Sequence, residues 1–255
     1  MEPEDIKEKL NESLTRKDDK KRIPGFFYAS EAGYCPRKIY YSFKKKTEYG
    51  VTTMGIFRIG NMMHEVLQNL YEKNEDLIVV EPERRTQLCF DDFNITGHID
   101  MYLMDKYGKR MIYEFKTVNN IYYIRKERKP NSTHIAQLMI YLKAERLEEG
   151  FLVYVDRRNF DMEIIKVKFD EKLYKSLIAK FRLIQEHMNN GTLPPMQAED
   201  WECKYCNFQE DCLNEEVRNS KRPSNSGDNK DEDAGKEPAG HPELSGKQPR
   251  VESKP

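Results

Sequence analysis

Two acidic residues and a lysine lie in successive stretches in which apolar and polar residues alternate. Asp100 belongs to residues 94–104, and Glu114 and Lys116 belong to residues 110–118. A short turn between the stretches predicts a β-hairpin, and because side chains alternate between the faces of a strand, all three would share one face. Carboxylate oxygens are suitable ligands for Mg2+ or Mn2+. A lysine beside such a cation can orient a metal-bound water and stabilise an anionic transition state.

The same spacing also fits an ordinary surface hairpin. A cross-strand pair of Glu and Lys with an Asp nearby is common on exposed sheets, so the pattern D-x13-E-x-K is by itself a weak signal. Glu114, however, lies between Tyr113 and Phe115, where an uncompensated carboxylate would be costly to bury. A divalent cation would provide the compensation.

Two predicted helices carry further polar residues. His64 lies one step from the apolar stripe of a helix predicted over residues 56–72, and imidazole is a competent metal ligand. His134, Gln137 and Tyr141 form a polar stripe on a later helix. Each feature has an ordinary alternative, since His64 fits a boundary position and the stripe fits solvent-facing surface. Gln and Tyr are unusual choices for solvation, and we expect their donors to contact a phosphate or a base edge.

Four of the five cysteines have spacings that suggest ligation. Cys203, Cys206 and Cys212 form a C-x2-C-x5-C motif, and Cys35 lies far upstream. The chain shows no export signal, and thiols stay reduced in the cytosol, so metal or cluster ligation is favoured over disulfides. Thiolates select zinc or an iron-sulfur cluster, and the spacing leaves both open. Cys89, on a predicted strand, is expected to be a small buried apolar residue.

Any nucleic-acid contact must come from local basic patches, because the net charge of the chain is only -1. Residues 122–129 combine two adjacent tyrosines with four cations, a composition that fits a groove for single-stranded nucleic acid. Arg37, Lys38 and residues 44–46 are weaker candidates. Charged runs are also common on plain solvated surfaces.

The elements that must position these residues follow from hydrophobic periodicity. Strands alternate with helices, which predicts an α/β fold with a mixed sheet. The predicted strands cover residues 77–90 (one strand or a pair), 94–104, 110–118, 151–156 and 162–169, and the predicted helices cover residues 5–17, 56–72, 130–149 and 171–190.

Particular residues set the expected boundaries. Ser30 is expected to cap a helix that runs through Cys35, unless Pro36 makes that helix begin nearer residue 34. Gly150 is expected to end a helix, and Asp170 to begin the next one. On the strand over residues 94–104, the apolar residues expected on one face are Ile95, Ile99, Met101 and Leu103.

Both ends of the chain are polar. Residues 219–255 contain no Phe, Tyr, Trp, Ile, Met or Cys, and we expect this tail to be disordered. Residues 1–22 form a polar extension, so residues 23–218 remain for one domain. No apolar run is long enough to span a bilayer, and the N-terminus has no signal-peptide pattern. We therefore expect a cytoplasmic protein without a membrane association.

The motifs, in their order along the chain, resemble those of the RecB-like branch of the PD-(D/E)XK nucleases and, within it, those of the CRISPR-associated exonuclease family. The similarity runs from about residue 30 to residue 213 and rests on two independent sets of motifs. The matching positions are the helix histidine His64, the G-x-x-D motif at Gly97 to Asp100, the E-x-K motif at Glu114 to Lys116, the Q-x3-Y motif at Gln137 and Tyr141, and the cysteines Cys35, Cys203, Cys206 and Cys212.

The resemblance implies a restriction-endonuclease-like fold, with a mixed central sheet flanked by helices. It also implies a 4Fe-4S cluster, held by the four matching cysteines, that joins the N- and C-terminal segments. His64, Asp100, Glu114 and the carbonyl of Phe115 would bind Mg2+ or Mn2+, and Lys116 would act on the attacking water. Gln137 and Tyr141 would complete the catalytic motifs.

The implied activity is exonucleolytic digestion of single-stranded DNA ends, as in the trimming of prespacers during CRISPR adaptation. CRISPR integration proteins are then expected partners, and the oligomeric state is left open. One alternative is a stand-alone or mobile-element repair exonuclease. Another is a non-catalytic DNA-binding adaptor with a structural zinc site, against which the presence of Asp100, Glu114 and Lys116 together argues.

Overall fold

The computed structural model describes residues 2–14, 22–47, 49–198 and 200–220. The strands are β1 (Phe26–Tyr28), β2 (Leu77–Cys89), β3 (Asn94–Asp105), β4 (Arg110–Val118), β5 (Glu149–Asp156) and β6 (Met162–Lys168). The helices are α1 (Pro3–Leu14), α2 (Pro36–Lys44), α3 (Val51–Tyr71), α4 (Tyr122–Glu127), α5 (Ser132–Glu145), α6 (Glu171–Asn190), α7 (Asp200–Lys204) and α8 (Gln209–Ser220). A short 3-10 turn, Ala29–Glu31, follows β1.

The six strands form one mixed sheet in the order β1-β3-β4-β5-β6, with β2 paired to β3. β3 runs antiparallel to both β2 and β4, and β5 runs antiparallel to β6. β4 and β5 are parallel, so the chain must cross over between them, and α5 lies in that connection. The predicted α/β fold with a mixed central sheet flanked by helices is confirmed.

Two apolar clusters cover the two faces of this sheet. The larger one packs α5 and α6 against the sheet, and Leu138, Tyr141 and Phe181 are among its fully buried members. The smaller one contains Leu67 of α3 and Phe115 of β4. Helices on both faces of the sheet are thus in position to direct side chains toward its central strands.

Several boundaries agree with the sequence. Residues 77–89 form one long strand, and Asp170 caps α6 by accepting hydrogen bonds from the backbone N–H groups of Lys172 and Leu173. Gly191 ends that helix with a φ of 65°, a left-handed conformation that glycine adopts without a Cβ penalty. The helix predicted over residues 56–72 is confirmed as α3, which begins five residues earlier, at Val51.

Two boundaries differ from the expectation. Of the two starts considered for α2, the structure has the later one, because Pro36 occupies the first helical turn, where its missing N–H is not needed. Gly150 does not end α5, so that prediction is wrong. The helix ends at Arg146, which is left-handed with a φ of 55°. Gly150 lies in β5, where a Cβ would come within 3.1 Å of Leu138 and Leu142.

The expected single apolar face of β3 is also wrong. Ile95 and Ile99 belong to the larger cluster, but Met101 and Leu103 belong to the smaller one on the opposite side. The change occurs at Asp100, and the β2 residue opposite it has a positive φ of 52°. This left-handed residue lies on β2, beside the point at which the alternation of side chains on β3 is interrupted.

The ends of the chain are described only in part. Part of the polar N-terminal extension forms α1. Arg22, the last residue of that extension, forms an ion pair with Glu31, and its guanidinium lies 3.8 Å from the ring centroid of Phe43. α8 ends at Ser220, and the remainder of the tail expected to be disordered lies outside the described residues. Among the helices of the described ranges, none has the length and apolar character needed to cross a membrane.

Candidate active site

The β3–β4 pairing brings the two predicted carboxylates together. Met101 pairs with Tyr113, so Asp100 and Glu114 occupy neighbouring positions on adjacent strands. Asp100 Oδ2 accepts a hydrogen bond of 2.7 Å from the backbone N–H of Phe115. Asp100 is 7% exposed and Glu114 is 1% exposed, which excludes the alternative of a surface hairpin.

Burial disfavours the charged form of both carboxyl groups. Desolvation is the main cause that raises the pKa of Asp100 to about 7 and the pKa of Glu114 to about 7, and Lys116 acts against it in both cases. Glu114 Oε2 is buried and has no hydrogen-bond partner among the described residues. A buried, unpartnered carboxylate oxygen beside a second carboxylate is a position where a cation would be stabilised.

Lys116 is held in the same pocket by two acceptors. Its Nζ lies 2.8 Å from Glu114 Oε1 and 3.0 Å from Gln137 Oε1. Burial lowers the pKa of Lys116, but the charges of Glu114 and Asp100 outweigh that effect and the net pKa is raised. The lysine is therefore a protonated donor at neutral pH.

Gln137 and Tyr141 form a buried chain of hydrogen bonds that ends at the backbone of β3. Gln137 Nε2 donates to the Tyr141 hydroxyl at 3.1 Å, and that hydroxyl donates to the His98 carbonyl at 2.9 Å. A Cβ at Gly97 would come within 2.8 Å of the Tyr141 ring, which explains the glycine of the G-x-x-D motif. The Tyr141 hydroxyl and one N–H of the Gln137 amide are bonded inside the protein, and contact of these side chains with a phosphate or a base edge stays a prediction.

His64 approaches the carboxylates from α3. Its Nδ1 lies 3.5 Å from Asp100 Oδ1, and its ring lies edge-on to the Phe115 ring. Burial is the main cause that lowers the pKa of His64, so the ring is neutral at pH 7. A neutral imidazole can act as a metal ligand.

Glu83 was not predicted from the sequence. Ligand atoms of His64, Glu83 and Asp100 all lie within 4.8 Å of one another, close enough to hold one metal ion. Glu83 lies on β2, and only the register of β2 against β3 brings it to Asp100. No spacing within β2 marks it among the other glutamates of the chain.

His134, the third member of the predicted polar stripe, has different contacts. Its Nδ1 lies 3.0 Å from the Tyr154 hydroxyl, which also accepts a hydrogen bond from the backbone N–H of Asn131. Burial, followed by the charge of Lys116, lowers the pKa of His134 to about 3. His134 is therefore a neutral residue that fixes the start of α5 against β5.

The four predicted cysteines line one pocket at the junction of α2 with α7 and α8. Cys35, Cys203, Cys206 and Cys212 all contribute to its wall. The backbone N–H of Cys35 donates to Glu202 Oε1 at 2.9 Å. The fifth cysteine, Cys89, lies apart from them, half-buried on β2.

The first six residues of the basic segment, Tyr122–Glu127, form the short helix α4, and Arg128 ends it. Tyr122 and Tyr123 are exposed, as expected for a stacking surface. Arg125, however, is paired with Asp161 at 2.8 Å and with Glu163 at 3.2 Å. At least one of the four cations is thus engaged within the protein.

A model of the PD-(D/E)XK nuclease superfamily matches residues 75–213. That range is more than half of the 255 residues and includes Asp100, Glu114 and Lys116. The chain belongs to the PD-(D/E)XK nuclease superfamily. His64 and Cys35 precede the matched range, whereas Gln137, Tyr141 and the other three pocket cysteines lie within it.

Similarity to individual proteins extends over most of this superfamily member. The chain is 27% identical to the CRISPR-associated exonuclease Cas4 of Saccharolobus solfataricus over 212 residues, which are 81% of this chain and 95% of that protein. The crystal structure of SSO0001 superposes with a TM-score of 0.54 at 23% identity, covering 82% of this chain and 95% of that one. The alkaline exonuclease LHK-Exo of Laribacter hongkongensis superposes with a TM-score of 0.50 at 12% identity, covering 72% and 93%. The two structures share the fold of this chain.

Proposed function

We propose that this protein is a divalent-metal-dependent deoxyribonuclease that digests DNA from single-stranded ends. The observation that carries the proposal is the buried group of Asp100, Glu114 and Lys116 in a chain of a nuclease superfamily. A non-catalytic adaptor would gain nothing from placing two carboxylates in the interior, where both have raised pKa values.

The donors at this site fit a hard divalent cation. Mg2+ or Mn2+ would be held by His64, Asp100, Glu114 and the carbonyl of Phe115. Among the described residues Glu114 Oε2 has no hydrogen-bond partner, so a cation would stabilise this oxygen the most. When bound, such a cation lowers the pKa of a coordinated water and offsets negative charge on the scissile phosphate. The carboxylates would then remain ionised at neutral pH.

Lys116 is suited to act on the substrate. An ammonium group has three N–H donors, and Glu114 and Gln137 account for two of them. The third is available to the attacking water or to a phosphate oxygen, where a positive charge stabilises the transition state. The lysine would therefore contribute to the rate of cleavage and not to cation binding.

Gln137 and Tyr141 serve in this proposal as positioning residues. Gln137 receives one N–H of Lys116, and Tyr141 fixes the amide of Gln137 by bonding to its Nε2 and to the backbone of β3. Because both side chains are buried, they can set the direction of the lysine without touching DNA.

We assign the four-cysteine pocket to a 4Fe-4S cluster. The pKa values of the Cys203 and Cys206 thiols are raised, first by burial and also by the neighbouring cysteines. Thiolates at these positions therefore need a cationic centre beside them, which a cluster provides. Zinc is the competing occupant, and elemental analysis of the purified protein separates the two.

The proposed biological role is the trimming of prespacer DNA in CRISPR adaptation, together with CRISPR integration proteins. Its support is the similarity to the CRISPR-associated exonuclease over most of both chains. Co-purification with purified integration proteins would favour this role, and its failure would favour a stand-alone or mobile-element repair exonuclease.

The activity is tested by incubating the purified full-length protein with DNA labelled at either end. We expect single-stranded ends to be shortened progressively with Mn2+ or Mg2+ and to remain intact with EDTA. Labels at the 5′ and 3′ ends give the polarity, and a circular single strand tests whether an end is required. A protein that binds DNA but leaves every substrate intact with either cation would contradict the proposal.

A further inference from the structure

Two aromatic side chains, Tyr49 and Phe57, lie exposed at the start of α3. Tyr49 directly precedes the cap residue Gly50, and Phe57 is on the second turn of the helix. Their rings pack edge to face with centroids 5.2 Å apart, and the two residues remain 43% and 46% exposed. In the described part of the chain, neither ring belongs to the apolar clusters of the core. This aromatic pair therefore presents ring surface to solvent.

The helix places Phe57 on the same face as the candidate metal ligand. Residues seven apart on an α-helix are separated by about 10 Å and lie on nearly the same face. Phe57 precedes His64 by seven residues, so the two side chains leave α3 in nearly the same direction. Gln68, one turn beyond His64, donates to the Asp100 carbonyl. One stripe of α3 thus runs from the carboxylates, past His64, to the aromatic pair.

The aromatic pair lies past the end of β4. The His64 ring packs edge-on to the Phe115 ring, and a Cβ at Gly60 would be 3.7 Å from Thr117 Oγ1. From His64 back to Gly60, α3 therefore follows β4 toward its carboxyl end. Phe57 lies about 4.5 Å further in that direction, because it is three residues nearer the start of the helix.

Tyr34 lies close to both the aromatic pair and Lys116. The pKa of its phenol is raised, first by burial, while the charge of Lys116 opposes the rise and Tyr49 adds to it. The ammonium of Lys38 lies 3.8 Å from the centroid of the Tyr34 ring. Aromatic rings combined with cations are the combination that binds single-stranded nucleic acid, since the rings stack on bases and the cations attract phosphates.

We propose that Tyr49 and Phe57 form a stacking site for an unpaired base of the DNA strand whose phosphate reaches the carboxylates. A distance of about 10 Å spans roughly two or three nucleotides of a stacked strand, so the bound base lies that far from the scissile phosphate. Every base has a stacking face, so the site tolerates any sequence. In a duplex the neighbouring base pairs cover those faces, so the site selects single-stranded ends. The inference rests on the proposed function and adds a specificity-determining pair to it.

The test measures binding of a short thymidine oligonucleotide to the full-length protein by fluorescence anisotropy, with EDTA present to prevent cleavage. An abasic nucleotide placed at each position in turn gives an affinity profile that locates the stacked base. The wild type should lose about fivefold or more in affinity at one position, or at two adjacent positions, near the end of the strand. Phe57→Ala should bind the intact strand more weakly by a similar factor and should show a flat profile.

Three further variants make the test decisive. Tyr107→Ala is the matched control, because Tyr107 is 84% exposed at the turn that precedes β4, and it should keep the wild-type profile. Phe57→Trp should bind the intact strand at least as tightly as the wild type, since a larger ring keeps the stacking face. If Phe57→Ala destabilises α3, Tyr49→Ala removes the other ring from outside the helix and should also flatten the profile.

The inference is overturned if Phe57→Ala binds the intact strand like the wild type, a result that would instead favour a protein contact at this surface. It is also overturned if Phe57→Ala weakens binding of the intact and abasic strands equally. A wild-type protein that shows the expected profile but cleaves no DNA with Mn2+ or Mg2+ contradicts the proposed function alone. A protein that cleaves DNA while its Phe57→Ala variant keeps the wild-type profile contradicts the stacking site alone.

Discussion

The carboxylate site is formed within one sheet, where β3 is the paired neighbour of both β2 and β4 and where α3 and α5 cover the opposite faces. The cysteine pocket instead joins two distant parts of the chain. Cys35, at the start of α2, contacts Glu202, which lies 167 residues later. The pocket is near a small apolar cluster of Tyr40, Tyr41 and Phe208.

This difference predicts that a bound metal would have a different effect at the carboxylate site and at the cysteine pocket. The sheet fixes the positions of Asp100 and Glu114 whether or not a cation is present. Burying their charge lowers the free energy of unfolding, and the rest of the fold must offset that loss. In the cysteine pocket, a cluster would itself be a crosslink between segments that are far apart in sequence. We therefore expect metal removal to abolish activity at the first site and to weaken the fold at the second.

The largest expected effect is the loss of cleavage without loss of metal at the carboxylate site. Lys116→Ala should reduce the single-turnover rate by about two orders of magnitude or more, because the ammonium that stabilises the transition state is gone. Its Mn2+ affinity should be unchanged or higher, since a positive charge next to the cation has been removed. Calorimetry and single-turnover cleavage on one preparation measure both quantities.

The control for this substitution is Lys168→Ala, at the exposed end of β6, which should cleave at the wild-type rate. Glu114→Ala should behave differently from both, losing Mn2+ binding and cleavage together. Wild-type cleavage by the Lys116 variant would contradict a catalytic role for the lysine.

The cysteine pocket should respond to substitution in the opposite way, through stability. Cys203→Ala in anaerobically prepared protein should abolish the visible absorption of the iron-sulfur cluster and lower the unfolding temperature, because the crosslink between the chain ends is lost. Cys89→Ala should keep both, since Cys89 lies on β2 away from the pocket. Colourless wild-type protein with stoichiometric zinc and no iron would refute the cluster assignment.

A smaller effect is expected from the residues that position Lys116. A hydrogen bond to a charged group contributes roughly 1.5–3 kcal/mol, so Gln137→Leu should lower kcat by about tenfold or more. Tyr141→Phe should cost only a few-fold, because the two neutral bonds it removes, each of about 1 kcal/mol, act on Lys116 only through Gln137. DNA affinity and Mn2+ affinity should not change in either variant, which KM for DNA and calorimetric titration with Mn2+ will show. An increase in KM at constant kcat would instead indicate direct contact with DNA.

The last expected effect concerns stability and not activity, and it is a pH dependence in metal-free protein. The pKa values of Asp100 and Glu114 are raised to about 7 in the folded state, so their stabilising contribution is complete below the pKa values of the unfolded chain and is lost as pH rises through 7. The lowered pKa of His134 gives an opposite slope, with stability rising with pH toward 6.5.

A comparison of variants separates these opposing contributions. Between pH 5 and pH 7.5, the unfolding temperature of metal-free wild type should fall relative to that of the Asp100→Asn, Glu114→Gln double variant. Mn2+ at the higher pH should remove the difference for the wild type. Identical pH profiles for the two metal-free proteins would show that the carboxylates do not titrate as a buried pair.

Much of the fold and part of the site follow from local sequence patterns. Alternation of apolar and polar residues predicts β3 and β4, and with them the proximity of Asp100 to Glu114. Helical periodicity predicts α3, which carries His64. The spacing of three cysteines marks the C-terminal half of the pocket. These inferences succeed because each depends on neighbours within one element or one hairpin.

The remainder was decided by packing between distant elements. The sequence shows that Gln137 and Tyr141 lie on one stripe of a helix, but only the crossover of α5 onto the sheet turns that stripe toward Lys116 and the β3 backbone. Glu83 joins the site through the register of β2, and the change of face at Asp100 accompanies it. Hydrophobic periodicity predicts which face of its own helix or strand a residue occupies. Which other element packs on that face depends on strand pairing and on long-range burial, and no local spacing encodes these.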